Sequence, residues 1–93
     1  MNRLFELRHE MDAINTTMLD LFLRRMDLAG EIAAAKQVEG LPVLNAQREQ
    51  EILDSVTARA GMHGEAAHRL FSLLLTLSRE YQTALLESCE PRG

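Results

Sequence analysis

The chain has no tryptophan, one tyrosine and three phenylalanines, so its core must be built from aliphatic side chains, which favours helices. Two prolines and five glycines among 93 residues are too few for a loop-rich or collagen-like chain, and 46% hydrophobic against 26% charged residues excludes disorder. The one cysteine, Cys89, leaves no partner for an intrachain disulfide and no thiolate metal site. Positive charge is in deficit: a net charge of -4 provides no general attraction to nucleic acid or to an anionic membrane, and neither is expected as a partner. No run approaches the roughly 18 apolar residues of a membrane span, and the charges in the opening MNRLFELRHE interrupt the apolar stretch a signal peptide needs. A cytoplasmic location follows as the expectation. The length suits one domain over residues 1–93. A chain of this size buries only about 60 to 65% of its unfolded surface and would gain from a partner subunit.

What is present is helical periodicity. From Asn2 to about Gln37 there is no proline and a single glycine, and apolar residues recur at Leu4, Leu7, Met11, Ile14, Met18, Leu21, Leu28, Ile32 and Ala35. Steps of three and four define one seam of a long helix. Val38-Glu39-Gly40-Leu41-Pro42 breaks it. A second helix is expected to start with Asn45 as N-cap and to bury Ile52, Leu53, Val56 and Ala60, ending at Gly61-Met62-His63-Gly64. A third runs from Glu65 to about Ser88 with Leu70, Phe71, Leu74, Leu77, Tyr81 and Leu85 inward, and the tail Pro91-Arg92-Gly93 is expected to fray. The first helix, about 36 residues at about 1.5 Å each, extends roughly 54 Å. A compact globule of this size is only about 30 Å across. One chain cannot cover such a seam, so the expected architecture is all-α, three helices per chain, intertwined as a six-helix homodimer. A monomeric three-helix bundle with a bent first helix is the alternative.

The seam has one wrong entry. Four residues past Leu21 stands Arg25, a guanidinium where a leucine belongs. Burying it unpaired costs several kcal/mol, so it needs a carboxylate partner, an exit to solvent or an anionic ligand. Lys36, the only lysine among ten basic residues, lies eleven residues on, about three turns, and points along nearly the same line. Two long cationic side chains there can converge on one small molecule, although a cation is also favourable at a helix C-terminus. Arg8 borders the seam 17 residues before Arg25, about 25 Å away along one helix, and reaches a shared ligand only from an antiparallel second copy. Arg48 and Glu49 fall in the first turn after Asn45, where a glutamate is ordinarily stabilising. Ser78 and Gln82 share a stripe of the third helix in an almost wholly apolar segment and need hydrogen-bonding partners from another helix or from a ligand. His9, His63 and His68 lack metal-ligand spacing, and there is no glycine-rich phosphate loop, nucleophile elbow or Ser/His/Asp arrangement.

This combination resembles the small all-helical chorismate mutases, the AroQ class, over essentially the whole chain. The resemblance rests on Leu7-Arg8, on Leu23 to Ala29 around Arg24-Arg25, on Ala35-Lys36, on Pro42-Val43 followed by Arg48-Glu49, and on Arg69-Leu70-Phe71 with Ser78 and Gln82, all in order. It implies an entangled homodimer with an arginine supplied across the interface, no cofactor and no metal. Chorismate is the implied substrate, rearranged to prephenate on the way to phenylalanine and tyrosine. By the same resemblance, Arg25 and the second copy's Arg8 bind carboxylates, with Arg48 and Ser78 supporting the ring carboxylate. Lys36 and Gln82 donate to the ether oxygen, and Glu49 accepts from the ring hydroxyl. Asn45 departs from the aspartate usual in the family and is expected to change helix capping more than chemistry. An isochorismate-pyruvate lyase of the same fold, and a non-catalytic helical dimerisation module, are the competing readings.

Overall fold

A computed structural model describes residues 2–88, which form three α-helices and one short 3-10 turn, with no strand among them. The expectations for Cys89 and for the tail 91–93 lie outside the described residues. Helix α1 spans Arg3–Glu39, α2 spans Ala46–Arg59 and α3 spans Gly64–Ser88, with Gly61–His63 as the 3-10 turn between the last two. Helix α3 packs against both of the others, and the molecule measures 66 × 27 × 15 Å. The long dimension is set by α1.

Side chains at the helix ends account for their positions. The Asn2 side chain accepts from the backbone N–H groups of Leu4 and Phe5 at 2.9 and 3.3 Å, satisfying two donors that the first turn leaves unpaired. At the other end, α1 runs two residues past the expected Gln37. It stops at Gly40, whose φ of 72° is left-handed, with Gly40 N–H donating to the Gln37 carbonyl and Leu41 N–H to the Lys36 carbonyl. That is a Schellman closure, which glycine permits at no steric cost, and Pro42 acts only on the strand of chain beyond it. Asn45 caps α2 as expected, accepting from Arg48 N–H at 3.0 Å. Gly61, with φ 59°, turns the chain. Gly64 starts α3 so close to α2 that a Cβ there would lie 2.8 Å from the Thr57 carbonyl oxygen.

The burial pattern departs from the expected seam in an informative way. On α1 the face against α3 carries the buried Ala29 and Ala33 with half-buried Phe22 and Met26. At 100° per residue this stripe lies about 120° round the helix from Leu21, Leu28, Ile32 and Ala35. Small alanines let α3 approach, while the larger seam residues Leu4, Leu7, Met11, Ile14, Met18, Leu21, Leu28 and Ile32 stay 44 to 59% exposed. Every residue of α1 from Arg3 to Leu21 is exposed, so half of this helix stands clear of the rest of the chain. On α3 the covered line is Leu75 and Gln82. Leu70, expected to face inward, is 45% exposed because it sits about 120 to 140° round the helix from that line, whereas Tyr81, 36% exposed, keeps its ring beside Gly30 of α1. No helix among the described residues is long and apolar enough to cross a membrane.

Candidate active site

Arg25 and Lys36 lie on the border between the two faces of α1. They sit about 50 to 70° from the exposed seam and a similar angle from the stripe that meets α3. A cavity of about 430 Å³ opens at that border. Its apolar floor is Leu28, Ala29 and Ile32 of α1, Ile52 of α2 and Leu75 of α3, and its polar rim includes Arg25, Lys36, Arg48, Glu49, Ser78 and Gln82. Six of the seven residues singled out in the sequence thus line one space, although they come from three helices. Arg8 is the exception. It stands on the exposed first half of α1, about 25 Å of helix from Arg25.

The polar groups form an ordered relay. The Lys36 ammonium donates to the Val43 carbonyl, tying the end of α1 to the loop before α2, and to Gln82 Oε1 at 3.4 Å. An ammonium can only donate, so the amide oxygen of Gln82 faces it, and the amide nitrogen turns to Ser78 Oγ at 3.1 Å. Gln82 is 5% exposed, and these two bonds supply the partners that a buried amide requires. Lys36 and Gln82 each retain one hydrogen for a further acceptor. Arg25 Nη1 donates to the Leu74 carbonyl at 3.5 Å. Among the described residues no carboxylate pairs with Arg25, so of the fates open to a seam arginine the ion pair is the one not realised. Arg48 makes only an exposed 3.6 Å pair with Glu51, which is worth little in water. No grouping of three or more metal-ligating side chains occurs among the described residues.

Glu49 has a partner the sequence reading missed. Arg79 of α3 donates to Glu49 Oε1 through Nη1 and to Thr76 Oγ1 through Nη2 at 3.4 Å. Arg79 lines the same cavity, and the side chains of the pair are 33% and 20% exposed. The signal available was slight: Arg79 follows Ser78 directly, and an arginine on an exposed-looking flank carries no periodic mark.

A partly open apolar pocket rimmed by a lysine, by Arg25 with no carboxylate partner, by Arg48 with only an exposed one, and by two neutral hydrogen-bonding side chains has the chemistry to suit a small anion, and it is mounted on a three-helix frame. The family model for chorismate mutase type II matches residues 7–83, which include Arg8 and every polar rim residue named above. The chain belongs to the chorismate mutase type II family. It is 34% identical over 89 residues to the bifunctional chorismate mutase/prephenate dehydratase of Escherichia coli, covering 92% of this chain but 23% of that protein. A 4-amino-4-deoxychorismate mutase from Streptomyces venezuelae is 38% identical over 63 residues, 68% of this chain and 61% of that protein. The chorismate mutase of Methanocaldococcus jannaschii is 26% identical over 94 residues, 98% of this chain and 95% of that protein.

Proposed function

We propose that the protein rearranges chorismate to prephenate, in the route to phenylalanine and tyrosine, as a homodimer whose two sites are each completed by Arg8 of the other copy. The observation that carries the reading is the convergence of Arg25, Lys36, Arg48, Ser78 and Gln82 on one cavity, with donor hydrogens to spare. In the reaction one carbon–oxygen bond breaks while one carbon–carbon bond forms within the same molecule. The protein's task is to hold a flexible dianion in its folded shape and to stabilise negative charge growing on the departing ether oxygen. Lys36 and Gln82, 3.4 Å apart, donate to that oxygen with their remaining hydrogens. Arg25 and the second copy's Arg8 take the side-chain carboxylate, and Arg48 with Ser78 takes the ring carboxylate. Glu49 accepts from the ring hydroxyl.

The dimer is supported by the geometry of α1. The cavity opens beside the uncovered seam, and the apolar residues from Leu4 to Ile32 form a longer exposed stripe than a monomer ordinarily keeps in water. A second α1 laid antiparallel on that stripe covers it and carries its own Arg8 toward the cavity. Incubating purified protein with chorismate and separating the products tests the activity. Prephenate is the expected product; salicylate plus pyruvate from isochorismate would make it a lyase. Neither turnover nor a raised melting temperature with chorismate would leave a dimerisation module.

A further inference from the structure

Glu49 is the only carboxylate among the described residues that line the cavity, and a dianion with one hydroxyl offers only that hydroxyl as a donor. The acceptor therefore falls to the hydroxyl, since elsewhere it would repel the carboxylates. Arg79 already holds Glu49 Oε1 and is itself fixed by Thr76. The pair bears no net charge, so it accepts from a neutral hydroxyl while offering little to a cation. We infer that Arg79 is a specificity-determining residue: by neutralising and orienting Glu49 it makes the cavity prefer a substrate with a ring hydroxyl over one with an amine at the same position. An aliphatic amine is protonated at neutral pH. It would meet the Arg79 guanidinium across the shared carboxylate, and two like charges that close in a partly buried site are unfavourable. Without Arg79, the bare Glu49 carboxylate would instead attract the ammonium. The inference rests on the reading that the cavity takes chorismate.

The test compares kcat/KM for chorismate and for its analogue with an amine in place of the ring hydroxyl. In Arg79→Met the ratio is expected to move toward the amine by about tenfold or more, a differential of about 1.4 kcal/mol. In Glu49→Gln, which leaves Arg79 charged and unpaired, it is expected to move the opposite way. Arg79→Lys, which keeps the charge, should stay near the starting ratio. A simple packing role for Arg79 lowers both rates equally, so an unchanged ratio in Arg79→Met overturns the inference while leaving the chorismate reading intact. Should Arg79→Met fail to give a cooperative melt, Arg79→Gln, which keeps a polar side chain but not the charge, takes its place, and an unchanged ratio there has the same meaning. Absence of chorismate turnover by the unaltered protein overturns the underlying reading instead.

Discussion

Replacing Lys36 with alanine removes the one ammonium of the cavity, and the structure indicates how large the effect should be. Two of its three hydrogens are spent on the Val43 carbonyl and on Gln82 Oε1, leaving one for a further acceptor, which in the proposed reaction is the ether oxygen. Deleting a single preorganised donor from a site of developing oxyanion charge costs about 3 to 4 kcal/mol in the barrier, or a few hundredfold in kcat. The loss also frees Gln82 Oε1, which sits on a 5% exposed side chain. The amide then loses its orientation, so the fall should not be milder than that of one donor. A stopped or continuous absorbance assay of chorismate loss reads kcat and KM separately, and circular dichroism establishes that the variant is folded. A donor used mainly in the transition state lowers kcat more than it raises KM. A folded Lys36→Ala protein with an unchanged kcat would refute the role given to Lys36.

Other substitutions probe the frame. Ile14 is 52% exposed, and in a monomer a charged replacement on such a surface changes stability by only about 0.5 kcal/mol. If the seam is buried by a second copy, Ile14→Glu should turn the dimer into monomer by analytical ultracentrifugation and lower the melting temperature. Gly64→Ala forces a Cβ against the Thr57 carbonyl oxygen at 2.8 Å. Overpacking of that kind costs about 1 to 3 kcal/mol. Calorimetry should show a fall of roughly 4 to 8 °C per kcal/mol, and an unchanged melting temperature would mean that α2 and α3 are not held so closely. Gly40→Ala places a Cβ at φ 72°, which costs about 1 to 2 kcal/mol and loosens the loop that Lys36 grips through Val43. Its expected signature is a lower melting temperature together with a raised KM.

The helices were legible in the sequence because their ends are chemically marked. Asn45 offers its side-chain acceptor to an unpaired N–H group, and the break read around Gly40 is where the left-handed closure falls, whereas the cap that Asn2 supplies was not singled out. The lining of the candidate cavity was legible for a different reason. Arg25 interrupts an apolar seam, Lys36 repeats its angle three turns later, and Ser78 and Gln82 are polar within an apolar stretch, so each violates a strong local pattern. Two features escaped. The α1 stripe that meets α3 is made of Ala29 and Ala33, whose small side chains weigh little beside the leucines of the exposed seam. The long apolar residues therefore marked the uncovered face rather than the intrachain one. Arg79 escaped because its pairing with Glu49 joins residues 30 apart in sequence, and nothing local to either side chain announces the other. The glutamate at the start of α2 already had a sufficient local explanation in the helix dipole.

Mixing two inactive chains tests the proposed sharing of the cavity between copies most directly. Arg8→Ala and Arg25→Ala proteins, each inactive alone, are unfolded together, refolded and assayed for prephenate formation. Random pairing leaves one intact site in every mixed dimer, so about a quarter of the unaltered activity should return, and about half if mixed dimers are purified. No recovery from dimers shown to contain both chains would contradict the claim that each site takes its second guanidinium from the other copy.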